Sequence, residues 1–260
     1  MIRNLRNSAA FWAVVGALVL GVVWEAFVRL RDVRKFVLLP PSEIVETFAD
    51  NPGFYLDNIW VTARHMLIGL AISLAVSVAF GALLAAVRPL EQASQPLLVL
   101  ILVTPWVAYI SSVVLWLGAG GPSIIFLVAF VTVPAFVYAT VGGMRSADPA
   151  ARELFASIDA SRLEVLWRLR LPAAMPSLFT AARFNVGLGL AAAYFAEGAA
   201  FATDGLGEAG KRAASFNEGS ILWTTILCAA VLGIAGQVVV VLLERWLLHW
   251  HASQRAQSTP

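Results

Sequence analysis

The sequence predicts an all-α, polytopic membrane protein of six transmembrane helices. Three observations carry this reading. Hydrophobic residues make up 60% of the 260 residues and charged residues only 13%, against about 25% charged in an ordinary soluble domain. Mean hydropathy is +0.80. The apolar residues also gather into six runs, each long enough for the roughly 20 residues that a bilayer core requires. These figures exclude a water-soluble globular enzyme and a disordered chain. A formal net charge of +2 excludes a basic nucleic-acid binder. The single cysteine, Cys228, forms no internal disulfide, matches no metal-site spacing and reads as a buried packing thiol.

The first run, 9–28, has Trp12 and Trp24 near its ends as interface anchors and no small-residue cleavage site, so it is a span and not a signal peptide. The second, 62–87, ends at Arg88-Pro89. Within it Gly69, Ser73, Ser77, Gly81 and Ala85 recur every fourth residue, a spacing that lets another helix backbone approach closely. The third, 93–117, stops at the Gly118–Pro122 turn, and the fourth, 122–143, at Gly142-Gly143. The fifth, 177–202, contains Arg183 and Glu197, and the sixth, 220–248, ends at Glu244-Arg245-Trp246. Six spans place both termini on one side. With the N-terminus inside, eleven of the 18 Lys and Arg residues fall inside, in agreement with the positive-inside bias, although the cluster at 29–35 opposes it.

Catalytic and nucleotide signatures are missing. No His-Glu-x-x-His, Gly-x-Ser-x-Gly or Gly-x-x-x-x-Gly-Lys-Ser/Thr pattern occurs. Gly205-Leu206-Gly207 reads as a tight turn outside the membrane. His249 and His251 flank Trp250 as interface residues, and His65 sits beside Arg64 at the start of the second run.

The most informative stretch is 144–177. Asp148-Pro149 is an N-cap followed by proline at the first helical position. Leu154, Phe155 and Ile158 then share an apolar face. After Asp159, Ser161 and Glu164 form a capping box for a second short helix, whose apolar face is Leu163, Leu166 and Trp167 and which Pro172 and Pro176 end. Two amphipathic helices joined by a bend lie on the membrane surface, cover the bundle, or dock on a cytoplasmic partner.

The same stretch resembles the EAA loop of permease subunits of type I ABC importers. Glu153-Leu154-Phe155, Asp159 at the glycine position, and Leu169-x-Leu171-Pro172 follow that pattern, while the Ala-Ala pair and the glycine are absent. Leu39-Pro40-Pro41-Ser42, Leu171–Pro176, Ala196-Glu197 and Gly205-Leu206-Gly207 are similar, in order and spacing, to the nitrate/sulfonate/taurine/bicarbonate branch. The resemblance implies an N-terminal unit at 1–61, a permease core at 62–248 with coupling helices at about 148–170, and a cytoplasmic tail at 249–260. It implies a multi-pass protein of the bacterial inner membrane with both termini cytoplasmic. The expected partners are two ABC ATPase subunits, a second permease copy and an external or periplasmic solute-binding protein. ATP and Mg belong to the ATPase, so this chain needs no cofactor of its own and is not itself an enzyme.

The implied coupling residues are Arg152, Glu153, Leu154, Phe155, Ile158, Asp159, Ala160, Arg162, Leu169, Leu171 and Pro172. Leu154, Phe155 and Ile158 would be buried anchors, with Arg152 and Arg162 as their polar rim. The branch resemblance implies a small anion such as a sulfonate, nitrate, taurine or bicarbonate, or another small organic solute, with aromatic organic acids and vitamin precursors as alternatives. Ionisable residues inside a bilayer are costly and default to function. Arg183 and Glu197 either flank a pathway or serve as a snorkelling cation and a structural hydrogen bond. Trp106, Tyr109, Asn185 and Tyr194 are further pathway candidates. The rival reading is an energy-independent channel or secondary transporter, which would need no ATPase.

Overall fold

The structure, a computed structural model, describes residues 9–199 and 202–248. Arg3 and Arg6, residues 200–201 of the fifth run, and the tail 249–260 with its two histidines lie outside the described residues. Among the described residues all regular structure is helical.

Helix α1 (Ala9–Leu30) is joined through the Leu39-Pro40 segment to α2 (Pro41–Asp50). Glu25 of α1 fixes that joint. Its carboxylate accepts from the Ser42 backbone N–H at 3.0 Å, from the Ser42 hydroxyl at 2.7 Å and from Arg29 at 2.5 Å. Helix α3 runs from Pro52 to Ala86, ten residues further toward the N-terminus than the second apolar run. Asp57 and Asn58 lower the hydropathy there, yet Tyr55 and Asn58 face the interior at 2% and 8% exposure, so packing extends the helix.

The third apolar run is not one straight span. Helix α4 (Arg88–Val103) meets a second arm, Trp106–Leu117, at 93° across the break at Thr104-Pro105; that arm is a 3-10 turn at Trp106–Tyr109 followed by α5 (Ile110–Leu117). Pro105 is the cause: it donates no N–H, and it holds Thr104 in extended backbone at φ −75°, ψ 130°. Among the described residues there are therefore five long apolar helices, or six spans if the bent pair is counted as one.

Helix α6 (Gly121–Arg145) is central: 61% of its most apolar window is buried, against 6% for α1 and for the last helix. The four-residue ladder of α3 packs against it. A Cβ on Gly69 would lie 2.6 Å from the Val128 side chain and one on Gly81 would lie 2.7 Å from Thr140, while Ser73 and Ser77 are fully buried. After α6 come α7 (Pro149–Ser157), α8 (Arg162–Val165), a π turn at Leu166–Arg170, α9 (Leu171–Ala199), α10 (Leu206–Ser215) and α11 (Gly219–Leu247). Ile124, Leu127 and Val128 of α6 meet Met66 of α3 and Ala192, Ala193 and Ala196 of α9 in the main core. Cys228 is buried, in a cluster with Tyr55 and Leu206.

Candidate functional site

Between α6 and α9 the chain caps its helix starts and turns at Asp159 as its sequence dictates. Asp148 caps α7, its side chain accepting from the Ala150 N–H at 3.0 Å. At the C-terminus, Asp159 takes the left-handed conformation (φ 48°). The Ala160 N–H donates to the Phe155 carbonyl at 3.0 Å and the Asp159 N–H to the Ala156 carbonyl at 3.2 Å. This is a Schellman closure with aspartate where glycine is usual. The chain then re-enters helix through the Ser161–Glu164 capping box: the Glu164 N–H donates to Ser161 Oγ at 3.2 Å and the Ser161 N–H to Glu164 Oε2 at 3.0 Å.

The helix begun at Ser161 does not end at Pro172, contrary to the sequence expectation. It passes through the π turn, where the Leu171 N–H bonds the Leu166 carbonyl, and continues as α9. Proline normally clashes with the carbonyl four residues before it and donates nothing to it. The widened turn removes that conflict. From Arg162 to Ala199 the chain forms one apolar run of 38 helical residues, about 57 Å long at 1.5 Å per residue.

This rod is rooted against α6. A Cβ on Gly143 would lie 2.7 Å from the Ala174 Cα, so the two backbones touch. Leu166 and Leu171 pack inward with Phe136, Met144 and Leu178. Leu166 is thus not part of an outward face with Leu163 and Trp167. Those two stay exposed, as do Leu154 and Ile158 at 61% and 66%; Phe155 is half-buried. Arg152 is not a rim for that patch: its guanidinium donates to the Arg145 carbonyl at the end of α6, where a cation complements the helix dipole. Arg145 in turn forms a two-point pair with Glu91 of α4. Glu153 and Arg162 are exposed, and neither side chain has a hydrogen-bond or ion-pair partner among the described residues. Leu169, Leu171 and Pro172 are half-buried in the rod.

At the other end of α9, Glu197 is fully buried. Its carboxyl accepts from Thr62 Oγ1 at 2.8 Å and from the Gly207 N–H at 3.0 Å, and it meets His65 Nδ1 at 2.9 Å. The two backbone N–H groups before Gly207 are bonded by α3: Leu206 to Thr62 Oγ1 at 2.9 Å and Gly205 to Asn58 Oδ1 at 2.7 Å. Three successive donors at the start of α10 are thereby satisfied by side chains, as a buried helix terminus demands. Glycine is required at both turn positions. Gly205 has φ 108° and sits against the Glu197 carboxyl, and a Cβ on Gly207 would fall 1.8 Å from the Tyr194 carbonyl oxygen. Sequence reasoning missed Asn58, Thr62 and His65. Their signal was spacing: i, i+4 and i+7 put them on one face of a helix.

Beside this junction an open cavity of about 700 Å³ lies between α9, α10 and α11, walled by Leu190, Tyr194, Phe195, Gly210, Lys211, Leu222 and Ile226 among others. Its surface is mainly aliphatic and aromatic. Of the pathway candidates, Tyr194 lines it, with its hydroxyl 3.5 Å from Thr225 Oγ1. Trp106 stands edge-on to Phe195 at 5.9 Å, on the side of α9 where the bent pair packs. Tyr109 contacts Phe130 at 5.4 Å. Asn185 is fully buried and donates to the Thr132 carbonyl at 3.1 Å, and Glu197 faces the junction, so neither is a wall of this cavity. Arg183 pairs with Glu244 of α11.

Comparison with known proteins matches residues 67–249 to a family described as "Binding-protein-dependent transport system inner membrane component". The chain is similar to the formylaminopyrimidine transport permease protein ThiX of Halalkalibacterium halodurans, 28% identical over 96% of this chain and 99% of the relative. It is similar to the taurine transport system permease protein TauC of Escherichia coli, 28% identical over 90% and 87%. It is also similar to the riboflavin transport system permease protein RibX of Chloroflexus aurantiacus, 29% identical over 97% and 95%. The fold is similar to a chain of the inward-facing MetNI methionine ABC transporter, with a TM-score of 0.59 at 17% identity, covering 74% of this chain and 96% of that one.

Proposed function

Because the chain belongs to the family of binding-protein-dependent transport system inner membrane components, and is a transport permease and not an enzyme, we propose that its 149–170 segment is the handle by which separate ABC ATPase subunits drive inward solute movement. Membership of this family sets aside the energy-independent channel. One observation carries the coupling role: Leu154, Ile158, Leu163 and Trp167 are all exposed on a segment continuous with a long membrane helix. Four large apolar side chains in water are costly unless a partner covers them. Capping at Asp148, Asp159 and Ser161 makes the segment rigid, so a push on it is transmitted and not absorbed.

In this reading two ATPase subunits, carrying ATP and Mg, grip the patch of two permease copies, and an external solute-binding protein delivers the cargo. The 149–170 segment and the Glu91–Arg145 pair then face the cytoplasm, both termini lie on that side, and the membrane is the bacterial inner membrane. The cavity at α9–α11 forms part of the solute path. Its largely apolar wall offers contact to a carbon skeleton, which an aliphatic or aromatic organic solute has and nitrate or bicarbonate lacks.

The test is purification of the permease with its ATPase and binding protein in lipid nanodiscs, with solutes screened for stimulation of ATP turnover. Phe155→Asp is expected to leave the permease inserted and to abolish stimulated turnover and uptake. A Phe155→Asp permease that still co-purifies with its ATPase and transports normally overturns the coupling role.

A further inference from the structure

Resting on the coupling role just described, we propose that Glu197 is a positioning residue that pins the cavity wall α10 to the far end of the α8–α9 rod, so that a displacement at 149–170 moves the wall of the solute cavity. Four observations support this. The rod is continuous from the Ser161 cap to Ala199, and Glu197 lies two residues before its end. The Glu197 carboxyl is fully buried and is not part of the lining of the cavity; its partners are Thr62 and His65 of α3 and the Gly207 N–H of α10. Helix α10 has ten residues, below the roughly 12 at which an isolated helix becomes even marginal in water, so its placement depends on tertiary contacts. Its start is held by this junction, while Gly207, Gly210, Lys211 and Ala214 form one side of the cavity.

The geometry makes Glu197 the shared member. Thr62 Oγ1 donates to Glu197 and accepts from Leu206, so α3 and α10 are bonded through the same pair of side chains that α9 completes. The Gly207 backbone is pressed onto the Tyr194 carbonyl with no room for a methyl group. At this junction the three helices move as one body while the carboxyl is present. Without it, α10 keeps its covalent link through 200–204 and the Gly205 and Leu206 bonds to α3, but loses the Gly207 bond that ties its first turn to α9.

The experiment is hydrogen exchange by mass spectrometry on the permease in its ATPase complex, with and without vanadate-trapped nucleotide, together with uptake and ATP hydrolysis. The variants are Glu197→Met, similar in length but with no oxygen to accept from Thr62 or Gly207, and Thr62→Val, which removes the bridging hydroxyl with little change of shape. Amides 205–215 are expected to exchange about tenfold faster in the resting variants, the loss of one buried hydrogen bond, with 121–145 unchanged. Nucleotide is expected to alter 149–170 in native and variant complexes, but 205–215 in the native complex only, with hydrolysis retained and uptake lost. If 205–215 exchange and respond to nucleotide in both variants as in the native chain, the pin is overturned. If nucleotide leaves 149–170 unaltered in the native complex, it is the coupling role that falls, and the resting exchange of 205–215 still decides whether Glu197 holds α10.

Discussion

Replacing Gly207 with alanine puts one methyl group into the tightest contact at the α9–α10 junction. The new Cβ would lie 1.8 Å from the Tyr194 carbonyl oxygen and 2.6 Å from its carbon, whereas real Cβ atoms essentially never come within 3.0 Å of such a neighbour. The two backbones must therefore separate by at least about 1 Å, since overpacked sites relax by backbone shifts. The Gly207 N–H bond to Glu197 Oε2, now 3.0 Å, then stretches beyond hydrogen-bonding range. Overpacking costs about 1–3 kcal/mol, and an orphaned buried donor costs about 1–3 kcal/mol more. The better helix propensity of alanine returns only about 1 kcal/mol. The net loss is about 1–5 kcal/mol, a drop in melting temperature on the order of 10 °C for a domain of this size. Thermal unfolding in detergent measures it, with Gly187→Ala as the control. Gly187 lies in α9, the helix on which Gly207 presses, with nothing within 4 Å of its would-be Cβ, so that variant keeps the propensity gain and loses no contact. If Gly207→Ala melts at or above Gly187→Ala, the close approach of α10 to α9 is wrong.

Ile158→Asp alters a side chain that is 66% exposed, so stability should stay within about 0.5 kcal/mol; the measurable loss should be co-purification of the ATPase. Asp159→Gly removes a left-handed aspartate at φ 48° and should stabilise the permease by about 1 kcal/mol without disturbing the bend, read as a rise in melting temperature with uptake retained. Ser161→Ala deletes the hydroxyl that accepts from the Glu164 N–H and should cost about 1 kcal/mol, with faster amide exchange confined to 161–165.

Local chemistry was readable residue by residue. Asp148, Asp159 and Ser161 with Glu164 cap or turn the chain through atoms a few positions away, and each does so here as its identity predicts. The small-residue ladder of α3 likewise announced a close helix neighbour, because a missing side chain leaves room whatever fills it. Proline was the unreliable sign. Pro105 breaks its run at 93°, whereas Pro172 is absorbed by a π turn and the helix continues. The difference lies in surroundings: Leu166 and Leu171 are anchored against α6 on either side of the π turn.

Hydropathy, spacing and capping residues were enough to establish a helical membrane chain with a capped helical segment between its fourth and fifth apolar runs. They act over one or two helical turns, where the chain itself supplies both partners. Which helix lies at the centre, which way each amphipathic face points, and that Glu197 meets residues 132 and 135 positions away were decided only by tertiary packing. A buried carboxyl has no sequence-local signature for its partners, because the groups that satisfy it come from whichever backbone the fold presses against it.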